Sequence, residues 1–346
     1  MREKVNGFVG VMAVAILCMV SGLCMVWGIA PVVLAVYVAA CAVCGRYMIT
    51  CIGCAVGVAA GSMGIAGLLH AYEYMIPGPA YSGVMVTEKY LVLLGLAMCL
   101  MKIVYSRNSR SYVRVIVVMS AAVLMGNIVV YADNMLMAAA YGVVEAAIFM
   151  CASVILKPGI GLLYTYICGD ASDVERDESW NISQGIVSLM ALAAVVLWVV
   201  PGEDIYGVNP AFMLALVLIL YAVYRTGAVY GCGMAAVAGS IVSVKLNDSR
   251  WLMWMLLVTL VMLIGRALTG RRKVSASLFY VLGCVLASVA DGTVLWNGSG
   301  REIAFYYINI AVPVVLFACI PGALLGAMDE ETDPACLQAA AAEINR

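Results

Sequence analysis

The sequence predicts an all-α fold, a polytopic transmembrane helical bundle of 10–12 segments, and two observations favour this class. From Phe8 to Ala327 the chain consists of apolar blocks of 15 to 25 residues that are separated by short turns. Hydrophobic residues make up 65% of the chain and charged residues 11%, with a mean hydropathy of +1.04, whereas a soluble domain has about 45–50% apolar and about 25% charged residues. Because lipid offers the backbone no hydrogen-bond partners, these segments are expected to be helices.

Twelve segments approach the length of about 20 mostly apolar residues that a membrane crossing needs: 7–28, 30–45, 47–69, 83–104, 114–132, 135–156, 184–200, 210–224, 227–244, 251–268, 275–296 and 304–323. Two adjacent pairs, 30–45 with 47–69 and 210–224 with 227–244, contain short members that could be re-entrant or broken helices, which would leave ten crossings. The first segment is interpreted as a retained span because its apolar run has no clear small-x-small cleavage site.

An internal repeat predicts that the segments form two parallel halves. Pro31 and Pro210 each begin an aliphatic segment that reaches an arginine fifteen residues later, at Arg46 and Arg225. Each arginine precedes a stretch rich in glycine, alanine and serine, which predicts close helix packing. Two halves of six segments would have the same orientation, as in some transporters. The predicted division is a first membrane half, an acidic connector, a second membrane half and the start of a cytoplasmic helical linker: 1–156, 157–183, 184–326 and 327–346.

The distribution of lysine and arginine predicts the orientation of the chain. Basic residues concentrate before the first span and in the turns 105–113 and 269–274, which lie on one side of a twelve-span topology. Since basic residues favour cytoplasmic loops, we expect a multi-pass protein of the cell membrane with both termini in the cytoplasm. Three basic residues are exceptions to this pattern: Lys245, Arg250 and Arg301. The formal charge of −1 and the lack of a basic arm argue against nucleic acid as a partner.

The usual motifs of catalytic and metal sites are missing from the sequence. There is no Walker loop, GxSxG or HExxH, and the single histidine, His70, lies at a span edge. Cys41, Cys44, Cys51 and Cys54 form two CxxC pairs, but the gap between the pairs is six residues, against about 15–20 in zinc ribbons. We interpret these cysteines as small packed side chains and expect no cofactor in this chain.

Ionisable residues within or beside the spans are the better functional candidates, because burying them in lipid costs free energy. Glu145 and Asp291 lie at comparable places in the two halves, and Arg46 and Arg225 mark the repeated hairpins. These four residues are the candidates for an intramembrane polar site. They could form a proton- or substrate-coupled pathway, or they could make interhelical hydrogen bonds and lie at water-exposed helix ends.

The order of several segments is similar to that of a known family. These segments are APVVLAVYVAA with CAVGVAAGS, TEKYLVLLGLAMCL, AAAYGVVEAAIFMCASVIL, ISQGIVSLMALAAVVL, LALVLILYAVYRTGAVYGCGMAAVAGSIVSV and NIAVPVVLFACIP, followed by an acidic tail. Together they resemble the N-terminal membrane region of the stage II sporulation protein E family, sporulation-specific serine phosphatases of endospore-forming bacteria. The resemblance covers residues 1–340 and rests on order, spacing and residues such as Glu145 and Ser188.

The resemblance implies a role in a larger protein. In that family the membrane segments place a cytoplasmic regulatory helix and a manganese-dependent, PPM-type phosphatase at the asymmetric division septum, the polar septum of sporulation. The enzyme dephosphorylates an anti-anti-sigma factor and so activates the forespore sigma factor. The membrane region contributes to septal localisation and self-association, beside the division protein FtsZ. The phosphatase's metal-binding aspartates have no counterpart here, so manganese is implied only for a domain that this chain lacks, and no catalytic, cofactor-binding or metal residue is carried over.

Two functions from different classes are therefore predicted. The first is an integral membrane anchoring and localisation module for a tethered phosphatase, with no enzyme activity assigned to this chain. The second is a 6+6 helix secondary transporter for a small solute, with Glu145 and Asp291 in coupling.

Overall fold

The fold is all-α, as the hydropathy pattern predicts. The computed structural model describes residues 2–23, 31–62, 83–103, 109–132, 134–168, 182–200, 202, 208–270, 272–291 and 300–319. In this part of the chain 93% of the residues are helical and no strand is present. The twelve described helices are α1 (Arg2–Leu23), α2 (Pro31–Cys44), α3 (Tyr47–Ser62), α4 (Gly83–Ile103), α5 (Ser109–Val130), α6 (Met135–Cys168), α7 (Ile182–Val199), α8 (Pro210–Thr226), α9 (Ala228–Lys245), α10 (Arg250–Thr269), α11 (Lys273–Asp291) and α12 (Gly300–Cys319).

Several of these helices could span a membrane by length and composition. Among the described residues, five helical stretches are both long and apolar enough: Ser111–Val130, Met135–Tyr164, Ala228–Lys245, Arg250–Thr269 and Lys273–Ala290. Parts of α1, α2, α3, α7, α8 and α12 are shorter apolar helices of 10–17 residues. A multi-pass membrane protein is compatible with this set of helices.

The chain divides into two compact units, Met1–Glu203 and Asp204–Arg346. The first unit contains α1 to α7, and its centre is α2. Every residue from Val33 to Cys41 is fully buried, and α2 packs against α1, α3, α4, α5 and α6. A helix that is hydrophobic on all faces lies either in a protein interior or in a membrane, and α2 is covered here by the neighbouring helices.

Close contact between α1 and α3 depends on glycine. A Cβ atom on Gly57 would lie 2.1 Å from the Met19 carbonyl oxygen, and one on Gly53 would lie 2.7 Å from the Ala15 oxygen. The contacts advance along both helices together, so α1 and α3 run parallel. The small-residue stretch that follows Arg46 in the sequence thus packs as closely as its composition predicts.

Helix α6 is longer than the sequence predicts, because the expected span ends at residue 156 and the helix continues to Cys168. The extension includes Pro158 and packs against α7. There the backbone N–H of Gly159 donates to Ser188 Oγ at 2.6 Å. The first part of the predicted connector is therefore helical, and α7 belongs by its contacts to the first unit. The two six-segment repeats stay a prediction.

Replacing Ser188 by alanine is expected to loosen the α6–α7 contact. The buried Gly159 N–H would lose its side-chain acceptor, and interhelical hydrogen bonds in membranes are worth about 0.6 kcal/mol on average and up to about 1.7 kcal/mol. We expect a loss of about 1 kcal/mol in the free energy of unfolding, measured in mixed micelles. Ser240→Ala, at an exposed site on α9, is the control, and an equal loss in both variants would contradict the role of Ser188.

The second unit contains α8 to α12. Asn209 caps α8, since its Oδ1 accepts from the Phe212 N–H at 2.8 Å and Pro210 occupies the first turn. The Asn209 N–H in turn donates to Asn309 Oδ1 on α12 at 3.0 Å. Buried polar contacts thus connect helices that are distant in sequence in this unit.

The turn between α9 and α10 carries an ion pair at the surface. Arg250 Nη2 lies 2.8 Å from Asp248 Oδ2, and hydrogen bonds from the Arg250 side chain and backbone lower the pKa of the Asp248 carboxyl below its usual value. Both side chains are therefore charged at neutral pH, and the two charges offset each other.

Candidate functional site

The strongest site candidate contains Glu145 from α6, one of the residues that the sequence singles out. Its Oε1 and Oε2 atoms each accept a hydrogen bond from Lys89 Nζ at 2.9 Å. Asn127 Nδ2 donates to the same Oε2 at 2.7 Å, and Lys89 Nζ also donates to Asn127 Oδ1 at 3.2 Å. Lys89, Asn127 and Glu145, here called the polar triad, join α4, α5 and α6.

The path of the helices explains how these side chains meet. Lys89 lies near the start of α4 and Asn127 near the end of α5, so these two neighbours run antiparallel. The Tyr112 hydroxyl near the start of α5 donates to the Ser153 carbonyl of α6 at 2.7 Å. With the Asn127–Glu145 contact this makes α5 and α6 antiparallel as well. The triad therefore lies towards the end of the three helices where α4 begins and α5 ends.

Gly126 makes room for the lysine of the triad. A Cβ atom on Gly126 of α5 would lie 3.3 Å from Lys89 Cγ, and one on Gly142 of α6 would lie 3.5 Å from Asn127 Cβ. The first distance is tighter than most side-chain contacts, whereas the second is ordinary van der Waals contact. The lack of a side chain at Gly126 thus lets the lysine stem pass close to α5.

The triad is closed to solvent and internally satisfied. The Lys89 and Glu145 side chains are 4% and 2% exposed, so little water reaches the two charges. Asn127 Nδ2 also donates to the Val123 carbonyl at 3.1 Å, and the Tyr90 ring lies 4.6 Å from Lys89 Nζ. Two buried opposite charges compensate their lost hydration only when hydrogen bonds engage the remaining polar atoms. The arrangement meets that condition, and its hydrogen bonds link α4, α5 and α6.

The other three predicted candidates do not join Glu145 in this cluster. Arg46 is exposed in the turn between α2 and α3, whereas Arg225 is buried in the last turn of α8. Asp291 is the last residue of α11, and its side chain lies outside the described part of the structure, as does His70. Arg46 and Glu145 belong to the first unit, and Arg225 and Asp291 to the second.

Sequence reasoning missed Lys89 and Asn127, two of the three members of the triad. The signal for Lys89 is present, because a lysine lies six residues inside the predicted span 83–104. The cost of a buried charge that singles out Glu145 applies equally to this lysine, and the two opposite charges suggest each other as partners. Asn127 gives a weaker signal, since a single amide near a helix end is common.

The paired cysteines lie in the packing between α2 and α3. Cys41 Sγ is 3.2 Å from Thr50 Oγ1, Cys44 Sγ donates to the Ala40 carbonyl, and Cys41 and Cys54 are fully buried. Within the described ranges no group of three or more histidine, cysteine, aspartate or glutamate side chains could hold a metal ion. The thiols thus pack and make local hydrogen bonds there.

Comparison with known proteins gives no relative for this chain. No protein-family model matches it, and no curated protein and no solved structure matches it. The polar triad, the helix packing and the distribution of charge are therefore the features that bear on function.

Proposed function

We propose that this chain is a multi-pass membrane module that anchors and localises a cytoplasmic protein or domain. The observation that carries the proposal is the closed polar triad. Its carboxylate is engaged on both oxygens and is 2% exposed. A carboxylate that couples transport must exchange protons or ions with water during each cycle, whereas a carboxylate that only links helices needs no access to water. An ion pair closed in this way fixes α4, α5 and α6 against one another.

The resemblance adds a specific context to this proposal. By analogy with the stage II sporulation protein E family, the anchored activity is a manganese-dependent PPM-type phosphatase that activates the forespore sigma factor. The site of action is the asymmetric division septum, beside FtsZ, and the module self-associates. Confining a tethered domain to the bilayer plane raises its effective concentration near septal partners, which is the physical benefit of such an anchor.

A fluorescent-protein fusion in sporulating cells of an endospore-forming bacterium tests the localisation. The fusion is expected to concentrate at the asymmetric septum as it forms, because the membrane region carries the localisation signal in this proposal. An even distribution around the whole cell membrane would contradict septal localisation. A fusion to an unrelated multi-span protein at a matched expression level is the control.

A secondary transporter remains the second candidate because Glu145 is an ionisable residue within a helix long enough to span a membrane. Proton flux into proteoliposomes, followed with an enclosed pH dye, separates the two functions. The anchor proposal expects the same flux from the wild-type chain and from Lys89→Met/Glu145→Met, which removes the ion pair as a whole. Flux that the wild-type chain supports and the double variant abolishes would favour the transporter instead.

A further inference from the structure

Helix α12 of the second unit contains a proline in its interior, Pro313. Proline has no backbone N–H, and its ring crowds the carbonyl group four residues earlier, so helices bend at such positions. In α12 that carbonyl belongs to Asn309, and the next carbonyl along the helix belongs to Ile310. Pro313 thus divides α12 into a first arm, residues 300–312, and a second arm, residues 314–319.

Buried side chains fix the first arm to α8 and α11. The Asn309 Oδ1 atom accepts from the Asn209 N–H at the start of α8 at 3.0 Å. The Tyr306 hydroxyl lies 2.8 Å from Ser288 Oγ on α11. Asn309 and Ser288 are both buried, so these two bonds are shielded from solvent. The first arm is therefore held by two neighbouring helices at once.

At the proline, a contact with the helix backbone comes from Tyr280 of α11. Its hydroxyl donates to the Ile310 carbonyl at 3.3 Å, and both residues are buried. Proline is tolerated in membrane helices when side chains of neighbouring helices hydrogen-bond the backbone groups at the bend. We call this bond the Tyr280 latch. It joins α11 to the turn of α12 that Pro313 disturbs.

The second arm has a contact that is easier to break. Lys273 Nζ donates to the Ala318 carbonyl at 2.7 Å, and this bond is exposed. The Phe317 ring packs edge-on against Tyr224 of α8, with the ring centroids 5.4 Å apart. An exposed hydrogen bond competes with solvent, whereas the bonds of the first arm and of the Tyr280 latch are shielded. The second arm is thus the part of α12 that can change direction at the lower cost.

We propose that Pro313 is a hinge of α12 and that the Tyr280 latch controls it. With the latch closed, as in the structure, the second arm keeps one direction. With the latch open, the second arm swings about Pro313 while the first arm stays fixed to α8 and α11. Hinges absorb a change of direction in a few residues. An arm of residues 314–319 is about 9 Å long, so a change of about 20° moves its end by about 3 Å.

One consequence of the hinge rests on the proposed anchoring role. Residues 320–346 follow the second arm in the sequence. For a chain that anchors a cytoplasmic domain through this segment, the direction of the second arm sets the direction in which the connection leaves the bilayer. The latch then passes a change in the packing of α11 against α12 to the anchored domain. The hinge itself needs no anchoring role.

Distances between spin labels in the full chain test the hinge. Nitroxide-bearing amino acids are incorporated genetically at pairs of exposed positions, so the native cysteines stay, and distances are measured by electron resonance in nanodiscs. The second-arm pair is Met253 with Leu316, and the first-arm pair is Leu268 with Ile308. Tyr280→Phe keeps the ring and removes the hydroxyl. We expect it to broaden the second-arm distribution by about 3 Å and to leave the first-arm distribution unchanged.

Adding Pro313→Ala separates a hinge from a helix that is loosened as a whole. Alanine supplies the N–H that proline lacks, so Tyr280→Phe/Pro313→Ala should return the second-arm distribution to its wild-type width. Tyr307→Phe removes a hydroxyl from an exposed side chain of the same helix and should change neither distribution. Should Tyr280→Phe fold poorly, Pro313→Ala alone gives the test. As α12 straightens, the mean second-arm distance should shift by about 3 Å and the first-arm distance should not.

The outcomes decide between the hinge and its alternatives. Equal second-arm widths in the wild-type chain and in Tyr280→Phe would overturn the role of the latch. Broadening of both pairs, or broadening that Pro313→Ala does not reverse, would overturn the hinge in favour of a general loosening of α12. Septal imaging is a separate readout, so an absent hinge leaves the anchoring proposal standing, and a failure of septal localisation leaves the hinge standing.

Discussion

Glu145→Gln is expected to lower the free energy of unfolding by about 3–5 kcal/mol, because it leaves the Lys89 charge buried with no opposite charge. The glutamine retains the shape of the side chain and can still accept from Asn127, so the loss reports the missing charge rather than a cavity. Lys89→Met should cost a similar amount, since it leaves the Glu145 carboxylate buried and 2% exposed. The free energy of unfolding of each variant is measured in mixed micelles with a reagent that reversibly binds the unfolded chain.

The double variant Lys89→Met/Glu145→Met provides the decisive comparison. Replacing a buried ion pair by apolar side chains of similar volume is often neutral or stabilising, although Asn127 loses its partners in the triad and this costs about 1–3 kcal/mol. We expect the double variant to be more stable than either single variant, with a coupling free energy of at least about 2 kcal/mol. If the two single losses simply add, the ion pair does not hold α4 and α6 together.

Much of the fold follows from hydropathy, because lipid permits so few alternatives to the helix. The predicted segment 114–132 covers the observed α5, Ser109–Val130, except for its first turn, and Pro210 begins both the predicted and the observed eighth helix. The end of α6 was harder to predict. Lys157 and Pro158 suggest a stop, yet contacts with α7 such as that between Gly159 and Ser188 maintain the helix beyond them.

The candidate site could be predicted only in part, because hydropathy indicates which residues are costly to bury and not which residues pay that cost together. Glu145 is identified by its place in an apolar helix, but its partners come from α4 and α5, 56 and 18 residues away in sequence. Arg46 and Arg225 occupy equivalent places in the predicted repeat, and nevertheless one is exposed and the other buried. Burial depends on the helices that surround each residue, and no local pattern in one sequence contains that information.

Gly57→Ala is the second substitution with a large expected effect, because a Cβ atom at Gly57 would lie closer to a neighbouring helix than one at any other described glycine of the first unit. The new Cβ would lie 2.1 Å from the Met19 carbonyl oxygen and 3.0 Å from Gly22 Cα. Both partners are backbone atoms, so no side chain can rotate away and α1 and α3 must separate. Overpacking of this kind costs about 1–3 kcal/mol, and we expect a loss at the upper end of that range in the same unfolding assay.

Gly95→Ala is the matched control for this prediction, since Gly95 is also helical and its Cβ would meet nothing within 4 Å. Alanine is favoured over glycine in helices by about 1 kcal/mol, so this variant should be as stable as the wild-type chain or slightly more stable. A local readout comes from Cys54, which is fully buried one turn before Gly57. Separation of α1 and α3 should raise its rate of reaction with a maleimide in Gly57→Ala and not in Gly95→Ala. Equal stability and equal labelling of the two variants would mean that the glycines do not set the distance between α1 and α3.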